Sequence, residues 1–219
     1  IETGEKPASA PLKGVRVKGN CDVEPVESPV RNVVGMIPGT GPNKDEIIII
    51  GAHYDHLGIR NKGDAKFNPL KDISNGADDN ASGTTGVMML ARAYAKHPPN
   101  RSILVMTYTG EEMGLLGSQH FAKTPTVDLK QCVAMLNFDM IGRLKDDKLE
   151  IGGMRTGGFE DTVKRLAEPF GFKIIDGGGG RGPSDHTSFY NKNIPVLFFF
   201  TGIHKQYHQP EDEGQHGVG

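Results

Sequence analysis

The sequence predicts an α/β fold of three layers, α/β/α, in which helices cover both faces of a central mixed, mostly parallel sheet. Short apolar runs at 46–52, 102–108, 132–138 and 195–200 read as buried strands, the first an almost unbroken row of Ile. Segments with helical periodicity alternate with these runs, as crossover connections require. The 219 residues suit one such domain, and a chain of that size buries roughly 70% of its unfolded surface without needing staples.

The elements follow in order. Residues 1–11 hold Pro7 and Pro11 and read as a lead-in. Residues 12–18 alternate Leu or Val with Lys or Arg, predicting a half-buried strand. A short strand is expected at 32–37, closed by Pro38 and Gly39, and the strongest one at 46–52. The polar, aperiodic stretch 57–76 is expected to be a long surface loop. Val87, Leu90, Ala91 and Tyr94 then share one helical face, with Asn80 and Ser82 as candidate N-caps and Pro98 and Pro99 as the stop. After the strand at 102–108 come a helix over 116–123, a strand at 132–138, a short strand at 149–151, a helix over 160–170 and a strand at 172–175. A flexible loop at 177–182 leads to a short helix at 184–190, with Ser184 as its cap, and to the last buried strand at 195–200.

Composition excludes several classes. A net charge of -2 gives no reason to expect nucleic acid or an anionic membrane as partner. No apolar run reaches the ~20 residues of a membrane span. Cys21 and Cys132 lack Cys or His partners at zinc-finger spacing, and the sequence leaves open whether they pair with each other. The glycines at 177–180 precede no GxxxxGK[ST], so they do not make a phosphate loop. Ser184, Asp185 and His186 are adjacent and cannot adopt triad geometry, and no GxSxG elbow is present.

The informative residues fall where strands end. His53 and Asp55 follow the Ile run, Asp78 and Asp79 precede a helix, Glu111 and Glu112 follow a strand, Asp139 ends one, and His208 lies after the last. Open α/β sheets build sites at the carboxyl ends of their strands. In the turn beyond a strand the adjacent Glu111 and Glu112 can lean over one site in different directions, one binding metal while the other handles a proton. Two His and several carboxylates without Cys suit zinc or another divalent first-row ion. There are more acids than one ion can use, and one carboxylate can bridge two ions.

Five segments carry a resemblance: GAHYDH at 51–56, GADDNASG at 76–83, TGEEMGLLGS at 109–118, NFDMIG at 137–142 and YHQPED at 207–212. Together, in this order, they resemble the metal-site motifs of the co-catalytic zinc aminopeptidases of family M28, from about Asn32 to Asp212. The resemblance implies a zinc exopeptidase-like fold and a hydrolase that removes N-terminal residues from peptides. It implies two zinc ions per chain, with His53 and Asp139 completing one site, Glu112 and His208 the other, and Asp79 bridging them. Asp79 is preferred to Asp78 because it is the fourth residue of GADDNASG. Glu111 would be the general base toward the attacking water, Asp55 an acid behind His53 that orients it, and Tyr207 an oxyanion stabiliser. The Asp79–Asn80 peptide would be cis. Peptides are the expected partners, with a secreted or periplasmic location, although no signal peptide is recognisable; the oligomeric state is unconstrained.

Further expectations attach to the same frame. Residues 1–31 form a lead-in strand and linker, the end of a preceding region, and 32–219 the metallopeptidase domain. The eleven residues after His208 (209–219) are not helix-forming, whereas relatives continue into a helix, so the domain is expected to be truncated at its C-terminus or to have that helix supplied elsewhere. His56, His97, His120, His204 and His216 read as ordinary histidines, His97 at a helix C-terminus. Asp185 and His186 either contact substrate or, for Asp185, cap a helix. Three alternatives share the fold: a glutaminyl cyclase, against which stand Trp 0 and the presence of Asp139; a carboxypeptidase for acidic peptides, which would need Arg143 or Arg181; and a non-catalytic binding module.

Overall fold

The computed structural model describes residues 13–24, 27–60 and 63–214. Strands β1 (Val33–Ile37) and β2 (Ile47–His53) open the domain. Two-residue strands β3 (Gly58–Ile59) and β4 (Ile73–Ser74) pair antiparallel around α1 (Pro69–Asp72), a single turn capped by Asn68. The stretch expected as an unstructured loop is thus closed by a small ribbon. Helix α2 (Gly83–Lys96), β5 (Ser102–Tyr108), α3 (Leu116–Lys123) and β6 (Cys132–Phe138) follow. Then come β7 (Lys148–Gly152), α4 (Glu160–Ala167), β8 (Lys173–Asp176), α5 (His186–Tyr190) and β9 (Val196–Phe200).

Seven strands form one sheet in the order β1-β5-β2-β6-β9-β7-β8. The centre is parallel, β5 and β6 both pairing with β2 and β9 with β6; β1 on β5 and β7 on β9 are antiparallel. Alternation along the strands sorts the core into two layers. Ile47, Ile49, Leu104, Met106, Tyr108, Met135 and Val196 face α3 and α5, where Phe121 and Phe189 fill the layer. Ile50, Ala52 and Ile103 face α2 through Val87, Leu90 and Tyr94. Leu136 belongs to that layer and also to the cluster of Ile151, Leu197 and Val163, which sets α4 on the same side. Because β2 is sandwiched, its Ile row is buried on both faces, as a central strand of an α/β sheet demands. Gly51 is required there: a Cβ would lie 2.5 Å from the Tyr108 hydroxyl.

Two expectations fail. Residues 13–18 form no strand, and Val15 and Val17 are 59% and 93% exposed; alternation alone makes no strand without a neighbour to hydrogen-bond, and Leu12 lies outside the described residues. Ser184 does not cap α5: Asp185 takes the N-cap position without a side-chain bond, and the Ser184 hydroxyl turns toward Asp139. Cys21 and Cys132 are unpaired, the first exposed and the second buried.

Candidate metal centre and active site

The parallel strands β2, β5, β6 and β9 deliver their C-terminal ends to one edge, and the polar residues converge there. The turn after β5 is held by Asp55. Its carboxylate accepts the backbone N–H of Glu111 at 3.2 Å and of Glu112 at 3.3 Å. Gly110 at φ 65° and Gly114 at φ 102° supply the left-handed conformations that the turn needs. The two glutamates therefore diverge. Glu111 joins His53 and Asp139, and Glu112 joins His56 and Asp79, each trio with its donor atoms within 4.8 Å of one another.

Asp79 stands between the two halves. Its Oδ1 is 3.3 Å from His53 Nε2 and its Oδ2 is 3.2 Å from His208 Nε2. Asp139 Oδ1 lies 3.4 Å from the same His53 nitrogen, and Glu112 Oε2 3.2 Å from that of His208. The Asp79–Asn80 peptide is cis. Asn80 provides the cap: its Oδ1 accepts the N–H of Gly83 at 3.0 Å and of Met140 at 3.1 Å, while its amide donates to Phe138 O. Asp78 turns the other way, accepting the Gly142 N–H at 2.7 Å, with His204 Nε2 3.2 Å from its other oxygen.

The donor set fits divalent cations. Two atoms bound at about 2.0–2.1 Å to one tetrahedral ion lie about 3.3–3.4 Å apart, and the four separations from His53 and His208 to Asp79, Asp139 and Glu112 are 3.2–3.4 Å. His53 Nε2 is buried without a hydrogen-bond partner. Among the described residues every ion pair of Asp79, Glu111, Glu112 and Asp139 is with a histidine and none with Lys or Arg. So many buried carboxylates without an arginine or lysine call for cations of another kind.

The expected roles map unevenly onto this geometry. Asp55 touches His53, but through its main-chain carbonyl, 3.1 Å from Nδ1; its carboxylate is 3.7 Å away. Burial opposes ionisation of Asp55, yet His53 and the two glutamate amides outweigh it and hold the carboxyl below its ordinary range. Tyr207 stacks on His208 with ring centroids 3.8 Å apart, and burial together with the surrounding carboxylates pushes its hydroxyl up to about 12, which keeps it a donor at neutral pH. Both line a cleft of about 520 Å³ with Glu111, Phe198, Phe200 and Ile203. His186 and Arg181 also line it. Asp185 is fully buried and makes neither a cap bond nor a wall of the cleft. Arg143 is engaged elsewhere, donating to Asp212 at 2.8 Å and Gln206 at 3.1 Å.

Sequence reasoning passed over several residues here. Asp212 is fully buried and accepts the N–H groups of both Asp78 and Asp79 at 3.0 Å, tying the His208 loop to the Asp79 turn. Arg143 and His204 close that network. His56, read as ordinary, places Nδ1 2.7 Å from Glu112 Oε1. Its position inside GAHYDH, three residues after His53, was the signal available.

The titrating groups predict a pH-dependent stability. Burial, reinforced by Asp139, Asp185 and Glu112 and opposed by His53, pushes Glu111 up to about 8. Burial likewise pushes Asp185 up to about 7. Burial alone would push His53 down, but Asp139, Asp55 and Asp79 outweigh it and raise it. A group with a raised folded-state pKa stabilises below its unfolded pKa, and that stability is lost as pH rises through the folded value. Buried His186, pushed down to about 4, acts oppositely only below its ordinary 6.5. Chelator-treated protein is therefore expected to lose stability from pH 6.5 to 8. One such proton is worth about 1.4 kcal/mol per pH unit, or about 3–5 °C in Tm for a chain of this size. Scanning calorimetry in that window, with and without zinc, tests this: zinc should flatten the slope, and a Tm independent of pH without zinc would refute it.

The model of "Peptidase family M28" matches residues 32–217. The chain is similar to "Aminopeptidase YwaD" of Bacillus subtilis, 28% identical over 197 residues, which are 85% of this chain and 40% of that protein. It is 30% identical over 178 residues to a "Probable leucine aminopeptidase" of Arthroderma benhamiae, covering 76% of this chain and 44% of that one. A solved structure of BSAP, a zinc aminopeptidase from Bacillus subtilis, superposes with a TM-score of 0.68 at 27% identity, over 85% of this chain and 45% of that chain. The chain thus spans less than half the length of these relatives.

Proposed function

The chain belongs to peptidase family M28, and from that premise we propose that it is a zinc-dependent aminopeptidase that uses two metal ions per chain to hydrolyse N-terminal peptide bonds. The observation that carries this reading is the Asp79 carboxylate, with one oxygen 3.3 Å from His53 Nε2 and the other 3.2 Å from His208 Nε2. His53, Asp79 and Asp139 would hold one ion, and His208, Asp79 and Glu112 the other. When bound, such ions supply Lewis acidity and make water nucleophilic near neutral pH.

The chain's own residues supply the rest. Glu111 Oε2 lies 3.9 Å from His53 Nε2, farther than the Asp79 and Asp139 oxygens. It is therefore free to take the proton of the attacking water and pass it to the leaving amine. A cation beside it would draw its carboxyl down from about 8 toward the range of a base at neutral pH. The Tyr207 hydroxyl, a donor at neutral pH, can bond the oxyanion. Asp55 fixes the turn that carries both glutamates. The cleft walls of Phe198, Phe200 and Ile203 suit an apolar side chain of a peptide substrate.

Metal analysis of the purified protein, beside hydrolysis of aminoacyl-chromophore substrates with and without chelator, tests the reading. About two zinc per chain and chelator-sensitive release are expected. One zinc without release would favour a glutaminyl cyclase, and no zinc a binding module.

A further inference from the structure

We propose that His56 is a positioning residue for the second metal site: its imidazole holds one oxygen of Glu112 so that only the other is presented to the ion. The inference rests on the metal reading above. His56 and His208 both face the pair Asp79 and Glu112, with their rings edge to face at 5.7 Å. The distances separate their roles. His208 Nε2 is 3.2 Å from both Asp79 Oδ2 and Glu112 Oε2, close to the edge of a ligand tetrahedron. His56 Nδ1 is 2.7 Å from Glu112 Oε1, which is a charge-assisted hydrogen bond and too short for two atoms sharing an ion. Its distance to Asp79 Oδ2 is 3.8 Å, too long for such an edge. Nδ1 therefore carries the proton and donates it, and Glu112 Oε2 is left toward His208.

The surroundings are shaped for this ring. The His56 side chain is only 5% exposed. It packs against Gly76, where φ is 66° and a Cβ would collide with both the His56 ring and the Asp79 carbonyl. Any side chain at 76 would thus displace His56 and the turn of Asp79 together. Hydrogen-bonded partners of metal ligands commonly set affinity by 10–100-fold, and a carboxylate with one oxygen pinned has one fewer way to rotate out of the site.

The test compares zinc binding by the wild type, His56→Ala and His56→Asn. The Asn amide can place an N–H where Nδ1 sits but is a poor zinc ligand. Zinc per chain at saturation is counted, and the affinity of each ion is read by competition with a chromophoric chelator. We expect all three proteins to reach two zinc at saturation, Ala to bind one of the two ions about 10–100-fold less tightly, and Asn to recover most of that loss. Both variants stopping at one zinc would make His56 a ligand and overturn the proposal. Unchanged affinity in Ala would make it a bystander. A wild type that takes up no zinc would instead overturn the metal reading on which this rests.

Discussion

Glu111→Gln is expected to lower turnover by about 10²–10⁴-fold while leaving zinc content and melting behaviour close to wild type. Glutamine keeps the size and one carbonyl oxygen but cannot accept the proton of an attacking water. The separation of turnover from zinc content follows from distance. Glu111 is 3.9 Å from His53 Nε2, whereas Asp79 and Asp139 are at 3.3 and 3.4 Å. The nearer pair completes a tetrahedral edge and Glu111 does not. The substitution also removes a buried acid whose carboxyl is pushed up by burial, so the chelated variant should be no less stable than the chelated wild type, and more stable above pH 7. Zinc counting beside steady-state kinetics decides the matter. Zinc lost together with turnover would make Glu111 a ligand; turnover near wild type would remove it from the chemistry.

Local pattern made much of this architecture legible. The Ile row of β2, the helical face of Val87, Leu90 and Tyr94, and the buried runs of β5, β6 and β9 each encode their own burial, so each was readable without its neighbours. The gathering of His53, Asp55, Asp78, Asp79, Glu111, Glu112, Asp139 and His208 at one edge followed from one rule about strand ends, whereas the choice of Asp79 over Asp78 came from the resemblance. Residues 13–18 misled because their alternation needs a partner strand, and a sequence does not say whether one exists. Contacts between distant segments escaped for a related reason. Asp212 meets Asp78 and Asp79 across more than 130 residues, and His56 meets Glu112 across 56. Neither pairing leaves a local periodicity. Asp55 is the subtler case: its place behind His53 was anticipated, but its carboxylate serves the backbone of the glutamate turn, a partner that no side-chain pattern announces.

The adjacent acids Asp78 and Asp79 offer the sharpest contrast, since both are 3% exposed and differ by one position. Asp79→Asn is expected to fail to hold two zinc under conditions that saturate the wild type. Its two oxygens face different histidines, His53 and His208, so the loss of its charge weakens both halves at once. Removing one partner of a buried ion pair costs about 3–5 kcal/mol, which corresponds to about 10²–10⁴-fold in zinc affinity. Asp78→Asn should keep both ions, because that carboxylate accepts the Gly142 N–H and faces His204 on the far side of the turn. Its expected cost is in stability, since the amide would disturb the Gly142 contact and the His204–Asp212–Arg143 network. Zinc titration and thermal melts on the two variants separate the roles. Loss of zinc in the Asp78 variant with retention in the Asp79 variant would reverse the assignment of the bridge. Equal loss in both would mean that the turn acts as one unit and that position within it does not distinguish ligand from support.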